Sequence, residues 1–169
     1  MDARFATREI VDAVILRHES AGRYGRLTTM KLQKLLCAAH GILLSMAGSP
    51  LLAGEFQAWD DGPVHHEVFG FFRGRRNLSA RDAHDEDSVI GAESEAIDAA
   101  IRIYGDFSGD ALSDISHQAP PWSEAWTLGR NTAIPNASLA SHYGSVLNFD
   151  QRSHDDDALA EKLLGSLKD

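Results

Sequence analysis

Apolar residues in the first half of the chain recur at steps of three and four, the spacing of α-helices with one buried face. A first helix is predicted over Thr7–Ser20, with Gly22 as its stop signal. A second is predicted over Thr29–Ala47, where leucines repeat along one stripe and Thr29 can cap the start. The polar residues expected on the solvent side of this second helix are Lys31, Gln33 and Lys34.

The middle of the chain combines a strand, a turn and a polar stretch. Residues Glu55–Trp59 alternate as a short strand does, and Asp60-Asp61-Gly62-Pro63 is a strong turn signal. Because proline suits the first turn of a helix, the next helix is predicted to begin at Pro63 and to end near Gly74. Residues from about 77 to 92 lose the apolar pattern and are predicted to form a polar, acidic connector, either mobile or an insertion.

Helical spacing returns in the second half of the chain. Helices are predicted over Glu93–Tyr104, Ala111–Ser116 and Trp122–Leu128, then from the Ile134-Pro135-Asn136 break to Tyr143. A last helix is predicted over about 155–167, with one apolar face made of Leu159, Leu163, Leu164 and Leu167. The predicted fold class is mainly α: residues 1–169 form a single compact helical domain with six or seven helices and one or two short β-strands.

Composition and charge narrow the function classes. The 169 residues are 43% apolar and 24% charged, which is typical of a globular protein. The net charge of −9 disfavours anionic membranes and non-specific nucleic acid as partners. Charge is uneven, +3 over residues 1–81 and −12 over residues 82–169, so the second half is either a solvated surface or an acidic face for a basic partner. The absence of an apolar signal segment and the single Cys37 lead us to expect the cytoplasm.

Motifs of catalysis are sparse. Adjacent histidines in His65-His66-Glu67 point about 100° apart on a helix, unlike the HExxH arrangement of zinc proteases. Cys37 lies among apolar residues, where a thiol is more often core than nucleophile. No GxSxG elbow and no phosphate-binding glycine loop occurs. We therefore predict no catalytic residue, no cofactor and no metal site.

Two alternatives stay open at this point. One is a metal-dependent hydrolase that would use His65, His66 or His117 with Asp60 or Asp61. The other is a nucleic-acid-binding repressor of its own operon, which would need a localised basic surface. Arg73, Arg75, Arg76 and Arg81 form the only basic cluster in the sequence, and a solvated helix end would also explain it.

Two segments are rich in residues that fix chain direction or cover large apolar areas. They are Trp59–Val64 and Leu112–His117, the latter leading into Pro121-Trp122. They are either rigid corners that pack the domain or the walls of a groove for a partner protein, because tryptophan is a favoured interface anchor. The candidate partner-binding residues are Trp59, Asp61, Gly62, Pro63, Arg73, Arg75, Arg76, His117, Pro121 and Trp122.

Three ordered motifs resemble the Panacea domain family, also known as the Soc-type antitoxin or phage-associated domain. The stretch Thr29–Leu36, followed by His40-Gly41, resembles the family's KLQKLLYYAQG helix. Ala58–Val64 resembles its AWxxGPV corner, and Glu67–Phe69 the following EVY. Leu112–His117, then Pro121-Trp122 and Ala125, resembles its LSxxTHxxxPWxxA segment. The chain departs from the pattern at Cys37-Ala38-Ala39-His40, where aromatic residues are usual, and at Ser116, where threonine is usual.

The motifs span about residues 27–143, and the resemblance carries implications for function. Members of this family are antitoxins of bacterial and phage toxin–antitoxin pairs, which bind and neutralise a toxin encoded beside them. Some act as proteolytic adaptors that deliver the toxin to the ClpXP protease. The family has no agreed catalytic residues. The resemblance thus implies a non-enzymatic, cytoplasmic, prophage-associated protein whose partner is a toxin and, in the adaptor version, also ClpXP.

Overall fold

The structure is a computed structural model that describes the backbone of residues 2–166 and the side chains of residues 2–158. Seven α-helices and five short strands lie within this part, so the mainly α fold class is confirmed, with more strands than the one or two predicted. The helices are α1 (Thr7–Ala21), α2 (Thr29–Ala47), α3 (His66–Phe71), α4 (Ala92–Tyr104), α5 (Gly109–Gln118), α6 (Pro120–Thr127) and α7 (Asn136–Ser166). The strands are β1 (Leu27–Thr28), β2 (Phe56–Trp59), β3 (Gly62–His65), β4 (Asn77–Leu78) and β5 (Thr132–Ala133).

Helix α2 is the centre of the molecule. It packs against α1, α4, α5, α7 and β3, and every residue from 31 to 43 is buried. Its cap is Thr28, whose hydroxyl accepts a hydrogen bond from Lys31 N, rather than Thr29 as predicted. The prediction that Lys31, Gln33 and Lys34 face solvent is wrong, because neighbours surround this helix on all sides. Their polar ends instead reach backbone groups of adjoining segments.

Strands β2 and β3 form a tight antiparallel hairpin. Trp59 pairs with Gly62 and Phe56 with His65, which leaves Asp60 and Asp61 as a two-residue turn. Strand β5 pairs with the other edge of β2. The predicted helix start at Pro63 is therefore wrong: residues 62–65 are strand, and α3 begins at His66. Proline is compatible with both positions, and the pairing with β2 decides between them.

The acidic segment between α3 and α4 lies against α1. Strand β4 pairs with β1, a 3-10 turn covers Ala80–Asp82, and the rest is held by side chains of α1. The Asp12 carboxylate accepts from the backbone amides of His84 (3.1 Å) and Asp85 (3.2 Å). Arg17 donates to Val89 O (2.9 Å) and to the Asp87 carboxylate. This stretch therefore follows a fixed path along the first helix.

Helix α7 replaces two predicted helices. It runs without interruption over Asn136–Ser166, so the predicted gap between Tyr143 and residue 155 is filled by helix. Residues 151–158 are exposed all round. The predicted apolar face at Leu159, Leu163, Leu164 and Leu167 lies outside the residues whose side chains are described. No helix in the described part of the chain is long and apolar enough to cross a membrane.

Candidate functional site

Side chains from α5 and α6 hold three consecutive carbonyl groups at the tip of the β2–β3 hairpin. Trp122 Nε1 donates to Trp59 O at 2.8 Å. His117 Nε2 lies 2.7 Å from Asp60 O, and Ser113 Oγ donates to Asp61 O at 2.6 Å. The Trp59–Val64 and Leu112–Trp122 segments are thus one connected unit. Because each bond goes to backbone, the unit fixes the path of the hairpin whatever its exposed side chains are.

Helix α2 holds the other side of the same hairpin. The Gln33 amide accepts from His65 N at 2.9 Å and donates to His65 O at 3.2 Å, which occupies the free edge of β3. Lys34 Nζ donates to Pro63 O at 3.3 Å, and burial lowers the pKa of this lysine to about 8. Gly62 has a φ of +110°, and a Cβ there would lie 2.7 Å from Lys34 Cε. Glycine is therefore required where lysine passes beneath the turn.

An aromatic stack supports the hairpin from α5 and α6. The ring centroids of His117 and Trp122 are 4.3 Å apart, and those of Trp122 and Trp126 are 4.9 Å apart in a stacked arrangement. The Arg130 guanidinium lies 5.8 Å from the Trp126 ring and makes a two-pronged ion pair with the Asp60 carboxylate. This hydrogen bond lowers the pKa of Asp60. The Asp60 carboxylate at the hairpin tip is thus already paired with Arg130.

A groove of about 500 Å³ opens between the start of α2, the hairpin and α3. Its apolar lining includes Met30, Trp59, Val64, Phe69 and Phe72. The rings of Trp59 and Phe69 meet edge to face with centroids 5.0 Å apart, and Phe69 is 39% exposed. Its charged lining residues are Lys34, Asp60, Asp61, Arg75 and Arg130. An open groove with an apolar floor and charged edges is the kind of surface on which a polypeptide segment can bind.

The predicted partner-binding residues divide between the surface and the support of this groove. Trp59, Asp61 and Arg75 line it. Gly62 and Pro63 are buried behind it in β3.

The remaining candidates fall into two positions. His117, Pro121 and Trp122 lie in the supporting unit of α5 and α6, where Pro121 and Trp122 are buried. Arg73 and Arg76 are exposed at the edge of the groove: the Arg73 guanidinium is 5.8 Å from the Phe69 ring, and Arg76 O accepts from the amide of Thr29, which also lines the groove.

Most residues that line the groove are not among the predicted partner-binding residues, and Met30, Lys34, Phe69 and Arg130 are examples. Phe69 and Lys34 lie inside the family-like motifs, but the apolar pattern predicts Lys34 on the solvent side of its helix and gives Phe69 no role. Arg130 reaches Asp60 across 70 positions of sequence, which no local pattern signals.

The histidines proposed for a metal-dependent hydrolase have other partners. His65 is buried and its Nε2 lies 2.7 Å from Ala53 O, whereas His117 Nε2 is bonded to Asp60 O. His66 is exposed beside the Trp59 ring. Within residues 2–158 no three histidine, cysteine or carboxylate side chains come close enough to share an ion. Burial raises the pKa of the Cys37 thiol to about 12, which disfavours a nucleophilic thiolate.

The family described as "Antitoxin SocA-like, Panacea domain" matches residues 32–123. This stretch holds most of α2, the hairpin, α3, α4, α5 and the start of α6. The chain belongs to this Panacea domain family. The three motifs named from the sequence lie mostly within the matched residues, and in this Panacea domain they meet at the hairpin that walls the groove.

A curated relative agrees with this assignment. The chain is 33% identical over 110 residues to Antitoxin SocA of Caulobacter vibrioides (strain NA1000 / CB15N), an alignment that covers 57% of this chain and 58% of that protein. The chain thus spans little more than half the length of that relative. No solved structure matches this Panacea domain.

Proposed function

We propose that this protein is an antitoxin that neutralises a cognate toxin by binding it directly, in the cytoplasm. The observation that carries the proposal is membership of the SocA-like Panacea family, supported by the 33% identity to a protein named Antitoxin SocA. The open apolar groove supports a binding role, and two of its charged residues, Asp60 and Arg130, are already paired with each other. A stable complex of this kind buries about 1,600 Å² in total.

Co-expression tests the proposal. The neighbouring reading frame is placed under one inducible promoter and this protein under another, with an empty second plasmid as control. Growth should stop with the neighbour alone and resume when both are made, and the two proteins should co-purify. A neighbour that is harmless alone, or that stays toxic when this protein is present, would contradict the proposal.

The adaptor version of the proposal adds ClpXP as a second partner. The exposed stretch 151–158 of α7 offers surface for such a partner beyond the groove. An adaptor shortens the half-life of the toxin, and deletion of the protease restores it. Simple sequestration lengthens the half-life in both strains. A pulse-chase of the tagged toxin in wild-type and protease-deficient cells separates the two mechanisms.

A further inference from the structure

The apolar lining of the groove lies beside a buried cation. Met30, Val64 and Phe72 line the groove, and so does Lys34, which is only 4% exposed. Among the described residues the Lys34 ammonium has one hydrogen bond, to Pro63 O at 3.3 Å, and no carboxylate within 4.0 Å. An ammonium group has three donors. The buried cation therefore has donors left for an anionic group of a ligand.

The edge of the groove formed after α3 is basic, although the whole chain carries a net charge of −9. Arg73 and Arg76 are exposed and make no ion pair within the described residues. Between them Arg75 pairs with Asp82 at 2.8 Å. The opposite edge is the hairpin tip, where Asp60 is already paired with Arg130 and Asp61 remains an acidic contact. The unpaired charge around the groove is thus mainly positive.

We propose that the groove binds an acidic segment of the toxin that carries an apolar anchor residue. The anchor packs on the apolar lining of the groove beside Phe69 and Val64, and carboxylates of the segment pair with Arg73, Arg76 and the Lys34 ammonium. Charge complementarity carries this choice of occupant, because guanidinium groups bind carboxylates through paired hydrogen bonds. The inference rests on the proposed antitoxin function and adds to it the surface and the chemistry of the toxin segment.

Overlapping synthetic peptides that cover the product of the neighbouring reading frame identify the segment. Binding of each labelled peptide to the full chain is measured by fluorescence anisotropy at low and high salt. The peptides that bind should contain a large apolar residue flanked by aspartate or glutamate, and their affinity should fall as salt rises. Binding confined to basic peptides would overturn the inference.

Matched variants locate the binding surface with the intact toxin. Arg73→Glu combined with Arg76→Glu should weaken toxin binding about 30-fold, and Phe69→Ala about tenfold. Arg26→Glu and Phe149→Ala are the controls, since both side chains are exposed and do not line the groove. Circular dichroism melts verify that each variant folds.

The outcomes separate the two proposals. If the unchanged protein neutralises and binds the toxin while the groove variants bind as well as the control variants, the groove inference is wrong and the antitoxin function stands. If the unchanged protein neither binds nor neutralises the toxin, the antitoxin function is wrong and the groove inference is lost with it. A toxin residue changed from glutamate to lysine that restores binding to the double arginine variant would confirm the pairing directly.

Discussion

Single polar side chains inside α2 decide where the hairpin lies. Gln33 is 6% exposed and satisfies both the amide and the carbonyl of His65. Lys31 is 1% exposed and donates to Tyr24 O at 3.0 Å and Gly105 O at 2.6 Å. Buried polar groups are costly unless they are hydrogen-bonded, so these residues are specific to this arrangement of neighbours.

Replacing Gln33 with glutamate tests this role. A glutamate can accept from His65 N but, when ionised, cannot donate to His65 O, and it places a charge in the core. Gln33→Glu should lower the free energy of unfolding by about 2–4 kcal/mol in urea titrations. The matched change Gln57→Glu keeps the acceptor for Trp59 Nε1 on a half-buried strand residue and should cost under about 0.5 kcal/mol. Equal losses at the two sites would contradict the assigned role.

His18 makes stability depend on pH. It is 3% exposed, its Nε2 has no hydrogen-bond partner among the described residues, and burial lowers its pKa to about 4. The unfolded chain, with a histidine pKa of about 6.5, then binds more protons than the folded one between these values. Stability should fall by about 2 kcal/mol as the pH drops from about 6.5 to about 4.

Urea titrations across that pH range measure the effect of His18. His18→Phe keeps the ring contact with Tyr24 and should reduce the slope of stability against pH, whereas His84→Phe, at an exposed position, should leave the slope unchanged. An unchanged slope in His18→Phe would show that other groups carry the dependence.

At the scale of elements, the close approach of α2 and α7 depends on glycine. A Cβ at Gly41 would overlap the Tyr143 ring and lie 2.9 Å from Leu139 O. A Cβ at Gly144 would meet Ser45 on the facing helix. The two helices are the most extensively packed pair in the described structure, so their separation is set by these small residues.

Gly41→Ala should therefore be destabilising although alanine favours helices. We expect a loss of about 2–4 kcal/mol, since a ring and a backbone carbonyl must both move. Gly70→Ala in α3 is the control, because a Cβ there meets nothing within 4 Å and should be neutral or stabilising by up to about 1 kcal/mol. Thermal and urea unfolding of both variants give the comparison, and a Gly41→Ala protein as stable as the control would refute the packing argument.

Arg17 connects α1 to the acidic segment between α3 and α4 through several hydrogen bonds. Its guanidinium contacts the Asp87 carboxylate at 2.6 Å, Val89 O at 2.9 Å, Ser94 Oγ at 2.8 Å and the Asp98 carboxylate at 3.0 Å. Arg17→Met should release residues 83–91 and cost about 2–3 kcal/mol.

Hydrogen exchange of amides in residues 83–91 measures that release. Exchange should become faster in Arg17→Met and stay unchanged in Arg23→Met, whose arginine contacts the neighbouring Tyr24 ring and an exposed Asp106 at 3.5 Å but no residue of 83–91. If these amides exchange as slowly in Arg17→Met as in the unchanged protein, contacts other than those of Arg17 hold the segment in place.

The local sequence pattern predicts the bounds of the amphipathic helices well. It predicts poorly which polar side chains are buried where several elements meet. Helices α1 and α4 follow their apolar stripes almost to the residue. The sequence predicts α7 as two helices because residues 145–155 are mostly exposed, and a largely solvated stretch of helix shows only a weak apolar stripe. The sequence predicts Lys31 and Lys34 on the solvent side because a local polarity pattern contains no information about hydrogen-bond partners from distant segments.

At the scale of the whole molecule, the family motifs converge on one hairpin from three regions of the chain. Residues of α2, α5 and α6 bind its two sides, and Arg130 binds its tip. The sequence therefore offers a groove only as one of two alternatives, and it does not identify most of the lining, because the walls come from segments brought together only by the fold. What the sequence did contain was the set of motif residues that build the support.

Trp122→Phe tests whether this support shapes the groove. The change keeps an aromatic ring on the stack but removes the donor to Trp59 O, so we expect a loss of about 1–2 kcal/mol and faster hydrogen exchange in β2. Trp126→Phe is the control, because its indole makes no hydrogen bond within the described residues. Toxin binding should weaken in Trp122→Phe only. Equal toxin binding by the two variants would show that the hydrogen bond to Trp59 O does not affect recognition.

The side chains that hold the hairpin tip form hydrogen bonds with backbone carbonyl oxygens, which every amino acid supplies. Ser113, His117 and Trp122 therefore impose no chemical identity on the side chains at positions 60 and 61. A library randomised at these two positions should fold almost as often as the parent and differ mainly in what it captures. Because the support does not depend on the side chains at positions 60 and 61, changes at these positions would allow the same fold to bind new toxins.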